Sequence, residues 1–403
     1  MRPRTLCFGS AALALLLVVG GAAPSRPNLR SLDPPAGPGA MAPNLTVAGD
    51  DLLLTWLEPL DPKQRSKGHR LRFVRLSEGR WSKPVTVVSG KDFFANWADF
   101  PGVVQAPDGS LTLHWLANTG DDQYSYSVFL ARSTDRGATW RQAGMLHEET
   151  PGEHGFVSWL PAGMDGVRAF WLDGREMTPE GGRMSLRTAI VGGKTGPGEV
   201  VDADVCTCCQ TDAALAAGGP VVAYRDHTKD EIRDISVVRR TARGWSQPVR
   251  VHADDWKIPG CPVNGPAIGA SGKNVAVAWF TAAPPSPKVQ IVFSRDGGAT
   301  FGPAILVDGD KPLGRVDLAL DRDGSALVSW LALAGEEAQV RLRRFSPNGK
   351  AGKPLTLAST SASRNSGFPR TALSHGNLYV AWVEDGEVSR VRVGSLAVKA
   401  IGL

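Results

Sequence analysis

The sequence lacks several features that would place it in a common functional class. Its 403 residues carry a formal net charge of +5, but Lys and Arg are scattered and form no basic stripe, so nucleic-acid binding is not expected. Glycine (46) and proline (29) are frequent without a Gly-X-Y period, which excludes collagen. Helical periodicity is absent beyond the N-terminal segment, and 4 tyrosines accompany 12 tryptophans. The chain is therefore expected to be globular, turn-rich and built of strands.

The N-terminal segment has the pattern of a secretory signal peptide. Arg2 and Arg4 precede an apolar run over 6–19, and small residues follow it. The run is shorter than the roughly 20 residues that a membrane span needs, and no other run approaches that length. We predict a cleaved signal peptide over 1–23, an extension over 24–41, and a secreted or periplasmic protein with no membrane span.

Internal repeats predict the architecture of the remaining chain. An apolar run ending in an aromatic residue recurs seven times at steps of 51 to 59 residues. The seven aromatic residues are Trp56, Trp115, Trp171, Tyr224, Trp279, Trp330 and Trp382. Tight turns such as Asp-Gly separate these runs from neighbouring strand patterns. Four short antiparallel strands in about 50 residues are typical of a β-propeller blade, so we predict an all-β, seven-bladed, monomeric propeller over 42–403.

Two turns share the pattern S-x-D-x-G-x-T followed by an aromatic residue, at 133–140 and 294–301. In such a turn the Asp carboxylate accepts backbone N–H groups, the glycine permits a positive φ, and the aromatic ring packs between blades. The pattern resembles the Asp-box of the sialidase (BNR-repeat) superfamily. The resemblance implies a structural role for the conserved positions of the motif, which here are Ser133, Asp135, Gly137, Trp140, Ser294, Asp296, Gly298 and Phe301.

The resemblance also implies a candidate activity. Sialidases have six blades, so a six-bladed ring is the alternative to seven, and their F/Y-R-I-P motif does not occur here. They are exo-glycosidases with a tyrosine nucleophile paired with a glutamate, an aspartate acid/base and three arginines that bind the carboxylate of the sugar. If this protein is an enzyme, we expect a glycoside hydrolase of this type, with Tyr126, Glu231 and Asp99 in the catalytic roles.

The segments before the inner strands and the loops after the second strands are expected to rim one end of the central tunnel. The loop over 224–234 is unusually rich in charge, and local pairing of its residues is one interpretation. The other is anion recognition, because guanidinium groups bind carboxylates through two hydrogen bonds. We predict an anionic or glycan ligand at this face, with candidate binding residues Trp97, His154, Arg225, Arg233, Arg315, Asp317 and Arg370.

The cysteines after the signal peptide are concentrated before the inner strands of adjacent blades, at Cys206, Cys208, Cys209 and Cys261. In an oxidising compartment the favoured interpretation is disulfide bonding. The alternative is a soft-metal site in which thiolates and His154, His227 or His252 bind copper or zinc, although the C-x-x-C pairs of structural zinc sites are absent. A non-enzymatic periplasmic metal-binding protein is therefore the alternative function.

The cysteines are also expected to meet one another. Isolated thiols are seldom left on an exported surface unless they are paired or bound to a metal. We predict that the four sulfur atoms converge at the tunnel mouth, flanked by Arg225 or Arg233 and by Arg315.

Overall fold

Seven antiparallel sheets follow one another along the chain in the computed structural model. The described residues are 28–120, 124–164, 166–178, 181–192 and 198–403. The predicted signal peptide lies outside them. Within these ranges, no helix has both the length and the apolar character of a membrane span. Short 3₁₀ helices occur at Arg65–Lys67, Arg364–Ser366 and Val398–Ala400.

The strands of each sheet run from an inner strand at the tunnel to an outer strand at the surface, with labels in chain order. Blade 1 contains β2 (Met41–Ala48), β3 (Asp51–Pro59), β4 (His69–Ser77) and an outer strand divided into β5 (Arg80–Trp81) and β6 (Val85–Gly90). Blade 2 contains β7 (Val103–Gln105), β8 (Leu111–Asn118), β9 (Tyr126–Ser133) and β10 (Arg141–Met145). Blade 3 contains β11 (His154–Ala162), β12 (Gly166–Asp173), β13 (Met184–Val191) and β14 (Glu199–Val205).

The remaining four blades repeat this order. Blade 4 contains β15 (Asp212–Ala216), β16 (Gly219–Arg225), β17 (Ile235–Thr241) and an outer strand divided into β18 (Gly244–Trp245) and β19 (Val249–Arg250). Blade 5 contains β20 (Ala267–Ser271), β21 (Asn274–Thr281), β22 (Lys288–Ser294) and β23 (Ile305–Asp308). Blade 6 contains β24 (Pro312–Leu320), β25 (Ala326–Ala334), β26 (Glu337–Phe345) and β27 (Leu355–Ser361). Blade 7 contains β28 (Arg370–Ser374), β29 (Asn377–Glu384), β30 (Arg390–Ala397) and β1 (Arg30–Ser31).

The blades form a closed ring. Inner strands of successive blades contact one another from β2 through β7, β11, β15, β20, β24 and β28, and β28 contacts β2 again. The outer strand of blade 7 is β1, from the predicted N-terminal extension, with Arg30 opposite Ser395 and Ser31 opposite Gly394 of β30. The prediction of seven blades is confirmed, and the six-bladed alternative is wrong.

The seven repeated aromatic residues explain why the blades pack as they do. Each lies on the second strand of a different blade and is at most 9% exposed. Burying an indole requires a partner for its N–H group, and several of these residues have an acidic one. Trp56 donates to Glu58 at 2.8 Å and Trp330 donates to Asp308 at 2.6 Å. The repeat therefore supplies both the apolar packing of a blade and a polar contact inside it.

The two Asp-box turns join the third and fourth strands of blades 2 and 5. In the first, Asp135 accepts the N–H of Thr139 at 2.9 Å, and the Ser133 hydroxyl accepts the N–H of Gly137 at 2.9 Å. A Cβ atom on Gly137, whose φ is 90°, would lie 2.2 Å from the Phe73 ring of blade 1. The Trp140 ring also packs edge-on against Phe73, with the centroids 5.2 Å apart. This turn therefore packs blade 2 against blade 1.

The second turn repeats the same hydrogen bonds. Asp296 accepts the N–H of Thr300 at 2.9 Å, and the Ser294 hydroxyl accepts the N–H of Gly298 at 2.9 Å. The hydroxyl and amide of Thr300 lower the pKa of Asp296 to about 2, as those of Thr139 do for Asp135. Phe301 packs against the core between blades 4 and 5.

Candidate functional site

A segment of blade 2, residues 94–101, crosses the tunnel mouth and is called the mouth segment below. Its Ala98 is fully buried, and the carbonyl of Ala98 accepts a 2.6 Å hydrogen bond from Gln210 of blade 4. The ring of Trp97 stacks on Phe368, just before the inner strand of blade 7, with the centroids 5.9 Å apart. The predicted convergence of these segments at one end of the propeller is thus visible in their contacts.

A pocket of about 260 Å³ lies beside the mouth segment. Among its described lining residues, the aromatic ones are Phe94, Trp97, Tyr124, Tyr126 and Phe156. Its polar lining includes Asn96, Glu153 and Thr207, and two thiols, Cys208 and Cys261, complete one wall. The pocket therefore combines ring faces, uncharged polar groups, a carboxyl group and sulfur.

Tyr126 is paired with a carboxylate inside this pocket. Its hydroxyl donates to Glu153 at 3.1 Å, and its ring stacks on Phe94 with the centroids 3.9 Å apart. The carboxyl of Asp99 accepts the N–H of Phe156 at 2.7 Å. A Cβ atom on Gly155 would lie 2.3 Å from Asp99 Oδ2 and 3.2 Å from Tyr126 Cε2, so both side chains approach this glycine. The structure thus joins two predicted catalytic residues, Tyr126 and Asp99, to Glu153 rather than to Glu231.

Burial changes the protonation of this group. Burial raises the pKa of Tyr126 well above its ordinary value, with further contributions from Glu153, Asp99 and Cys208. Burial also raises the pKa of Asp99 to about 7, against the opposing hydrogen bond from Phe156. Tyr126 is therefore a neutral phenol that donates to a carboxylate, and Asp99 holds a proton up to near-neutral pH. Asp99 is adjacent to the pocket but lies behind Gly155, outside its lining.

The cysteines converge as predicted, but as thiols. All four are free, and the Sγ atoms of Cys206, Cys208 and Cys209 lie within 4.8 Å of one another. The Sγ atoms of Cys206 and Cys209 are 3.7 Å apart, and Cys261 contacts both Cys208 and Thr207. The expected disulfides are not formed in this structure. We call Cys206, Cys208 and Cys209 the thiol cluster.

Two arginines act on the thiol cluster in different ways. Arg233 donates to the Cys206 sulfur at 3.4 Å and to Glu231 at 2.7 Å. Arg225 is only 2% exposed, and its guanidinium donates to the carbonyls of Asn264, Arg233 and Phe280. Contacts with Cys208 and Cys209, together with both guanidinium charges, hold the pKa of Cys206 well below its usual value. Arg225 and Arg233 therefore flank the thiol cluster, whereas Arg315, the third arginine of the prediction, contacts other groups.

The other two candidate arginines point to different partners. Arg315 donates to the carbonyl of Ser363 at 2.9 Å and lies over the Trp97 ring at 4.8 Å. Arg370 pairs with buried Asp317 at 3.4 Å and donates to Asn44 at 3.1 Å within the tunnel. The four arginines thus have separate partners and do not form one carboxylate-binding group.

The charged loop of blade 4 is paired largely with itself. Glu231 contacts His227 at 3.4 Å as well as Arg233, and His227 contacts Asp204 at 2.8 Å. Buried Asp234 accepts the N–H groups of Asp255 and Trp256. These contacts match the interpretation of local pairing.

The histidines proposed as metal ligands contact groups other than the sulfur atoms. His154 is fully buried, stacks on His147 and contacts Asp173 at 3.5 Å. His252 pairs with Asp254 at 3.0 Å. Among the described residues, the group whose atoms lie close enough to hold one metal ion is the thiol cluster alone.

Sequence reasoning missed Glu153 and Phe94. Glu153 comes directly before the inner strand of blade 3, next to His154, the candidate predicted from this segment. Phe94 belongs to an aromatic-rich run, 93–100, that precedes the inner strand of blade 2. That aromatic concentration is the signal that would have found it.

Comparisons with known proteins support the fold. No family model matches the chain, and no curated protein matches it. A Dyadobacter fermentans protein of unknown function superposes with a TM-score of 0.54 at 14% identity, over 91% of this chain and 97% of that one. A Penicillium chrysogenum alpha-L-arabinanase complexed with arabinobiose gives a TM-score of 0.50 at 14% identity, covering 94% and 100%.

The polysaccharide lyase Uly1 is a third similar structure, with a TM-score of 0.51 at 10% identity over 89% of this chain and 90% of its own. Sialidases are also among the matches, at TM-scores of 0.44 and 0.47. At these identities the similarity shows a shared propeller fold. It does not place the chain in the sialidase family.

Proposed function

We propose that the protein binds a neutral glycan in the pocket beside the mouth segment. The observation that carries this proposal is the Tyr126–Glu153 hydrogen bond inside a pocket lined by aromatic rings. Aromatic faces and a few directed polar groups are what a preformed small-ligand pocket needs. The arabinanase shares the fold and was solved with the neutral sugar arabinobiose, which agrees with the proposal.

The charge of the pocket favours a neutral sugar over an anionic one. An anionic sugar is bound most strongly by cationic side chains, and the described lining of this pocket contains no Lys, Arg or His. The candidate arginines are bound to Asp317, to Glu231 or to backbone carbonyls. The ligand proposed here is therefore a glycan without a carboxylate at the bound unit.

Hydrolysis of a glycosidic bond is the second candidate function, and the Tyr–Glu pair favours it. In this reaction the Tyr126 oxygen bonds to the anomeric carbon as its proton passes to Glu153. The glycosidic bond breaks, and the leaving oxygen takes a proton from water, because Asp99 is buried outside the pocket lining. The resulting hydroxide releases the sugar from Tyr126, and Glu153 returns the proton to the Tyr126 oxygen.

The purified protein tests both functions on an array of neutral and sialylated oligosaccharides and on a panel of 4-methylumbelliferyl glycosides that includes the sialoside. We expect binding to neutral members, weakened in Glu153→Gln. Tyr126→Phe keeps the ring that stacks on Phe94, so it should retain binding and lose turnover by roughly 100-fold or more.

Tyr379→Phe is the matched control, because Tyr379 lies on the second strand of blade 7 and outside the pocket. It should behave as the wild type in both assays. Binding restricted to sialylated members, or binding that Glu153→Gln leaves unchanged, would refute the neutral-glycan proposal.

A further inference from the structure

The thiol cluster has no role in binding a sugar, and its geometry calls for a separate explanation. Three thiols from a four-residue stretch, Cys206, Cys208 and Cys209, bring their sulfur atoms within 4.8 Å of one another. Cys206 and Cys209 are 1% and 2% exposed, whereas Cys208 is partly exposed and lines the pocket. The cluster therefore has a buried interior and one side open to a cavity.

The sulfur spacing matches metal coordination. Sulfurs bonded to one Zn²⁺ at about 2.3 Å are separated by roughly 3.8 Å in a tetrahedral site, whereas a disulfide joins them at about 2.05 Å. The Cys206 and Cys209 sulfurs are 3.7 Å apart. A cation between them needs little rearrangement of this pair.

The surrounding charge is positive, as a set of thiolates requires. Arg225 is almost fully buried, and among the described residues no carboxylate forms an ion pair with it. A buried guanidinium that binds carbonyls alone still needs a compensating negative charge. Its charge acts on both Cys206 and Cys209, and Arg233 donates directly to the Cys206 sulfur. Three thiolates and a monovalent cation would carry a charge of −2, which Arg225 offsets in part and Arg233 offsets further, although Arg233 is also paired with Glu231.

The backbone holds the cluster in place without a metal. The N–H of Cys206 donates to the carbonyl of Arg225 at 3.1 Å. The side chain of Gln210, next to Cys209, donates to Ala98 and accepts the N–H of Gly265 at 2.8 Å. Blade 4 thus fixes the Cys206 end of the cysteine stretch, and contacts to blades 2 and 5 fix the Gln210 end, which is the support that a metal site needs.

We propose that Cys206, Cys208 and Cys209 form a three-thiolate site for a soft d¹⁰ cation of the Cu(I) or Zn(II) class, reached through the pocket at Cys208. Thiolates select cations of this class. Cys261 contacts Cys208 but is itself exposed, and it lies at the edge of the site. The ligands of the site do not include Tyr126 or Glu153, but Cys208 lines the same pocket, so a bound sugar and an entering ion share that entrance.

The test is a titration of the reduced, full-length protein under anaerobic conditions. Cu(I) is offered in competition with bathocuproine disulfonate, and Zn(II) is offered in competition with a chromophoric chelator. We expect the wild type to retain one equivalent of one of these ions. Replacing a residue that only supports a metal ligand typically weakens metal binding about 10- to 100-fold. Cys206→Ser and Cys208→Ser remove a ligand itself, so each should weaken binding by roughly 100-fold or more.

Cys261→Ser is the matched comparison, since it makes the same chemical change at a residue that contacts Cys208 without belonging to the cluster, and it should weaken binding by only about tenfold. Because replacing the buried Cys206 can unfold the protein, Cys208→Ser and alkylation of the wild type provide independent readouts. The bound ion should protect Cys208, the partly exposed member of the cluster, from alkylation, and a chelator should make it reactive. Failure of the wild type to retain either ion, or equal losses in Cys261→Ser and Cys208→Ser, would overturn the three-thiolate site.

Discussion

Replacing Asp99 by asparagine should change how the stability of the propeller depends on pH. Asp99 is 4% exposed and accepts one hydrogen bond, from the N–H of Phe156. Burial raises its pKa from 3.8 to about 7 in the folded protein. Folding therefore favours the protonated acid. The contribution of this group to stability is fully present below pH 3.8 and is lost as the pH rises through about 7.

The size of the effect follows from that interval. Each pH unit between the unfolded and folded pKa values corresponds to about 1.4 kcal/mol, so the ionised Asp99 costs roughly 4 kcal/mol above pH 7. Asparagine keeps an oxygen for the N–H of Phe156 and does not titrate. Its buried NH₂ group adds a penalty of about 1–3 kcal/mol if it finds no acceptor, but that penalty is the same at every pH.

The measurement is the free energy of unfolding in urea at pH 4, 5, 6, 7 and 8 for wild type and Asp99→Asn. We expect the difference between the two proteins to shift in favour of the variant by several kcal/mol between pH 4 and pH 8, roughly 4 at most. Asp310→Asn, a change at an exposed aspartate, is the control and should give a flat difference. A flat or opposite trend for Asp99→Asn would show that the folded protein holds this carboxyl in its ionised form.

Two further predictions concern the turns and the cysteine stretch. Asp135→Ala and Asp296→Ala should lower the melting temperature at pH 7, and by less at pH 3, because the lowered pKa of each aspartate contributes stability above pH 3.8 that is lost as the pH falls through about 2. The folded variants should bind glycan as the wild type does. Loss of glycan binding at an unchanged melting temperature would contradict a structural role. Gly265→Ala places a Cβ atom 2.1 Å from the carbonyl oxygen of Gln210, so it should reduce both the melting temperature and metal retention. Gly260→Ala is the control and should alter neither, because the atom nearest to its Cβ lies 3.9 Å away. Equal behaviour of the two variants would show that Gly265 does not position the thiols.

The blades were predictable because their signal is local and repeated. The aromatic residue of each second strand lies within a short apolar run, and seven copies at near-constant spacing can be read without any long-range information. The Asp-box turns are predictable for the same reason, since every hydrogen bond of the motif joins residues at most four apart. Ring geometry then places all segments before the inner strands at one end.

The partners within the site were much less predictable, because they come from different blades. Glu153 follows Tyr126 by 27 residues, and no spacing rule links a third strand to the start of the next blade. The surroundings of Arg225 were unpredictable for another reason. Its neighbours in the sequence are charged, which indicates an exposed loop, but its buried side chain donates to carbonyls up to 55 residues away. Burial of a single side chain inside a charged stretch leaves no trace in composition.

The mouth segment divides the interior of the ring into two compartments. Trp97 lines the outer pocket, whereas Phe100, three residues later, lines a cavity of about 180 Å³ in the tunnel together with Asp212 and Arg370. The two cavities share no lining residue, so the mouth segment presents a different face to each. A solute in the tunnel cavity meets Phe100 and Arg370, whereas one in the outer pocket meets Trp97 and Cys208. Occupancy of the two compartments should therefore be independent, and Asp212, whose pKa burial raises to about 7, should titrate without sensing what the outer pocket holds.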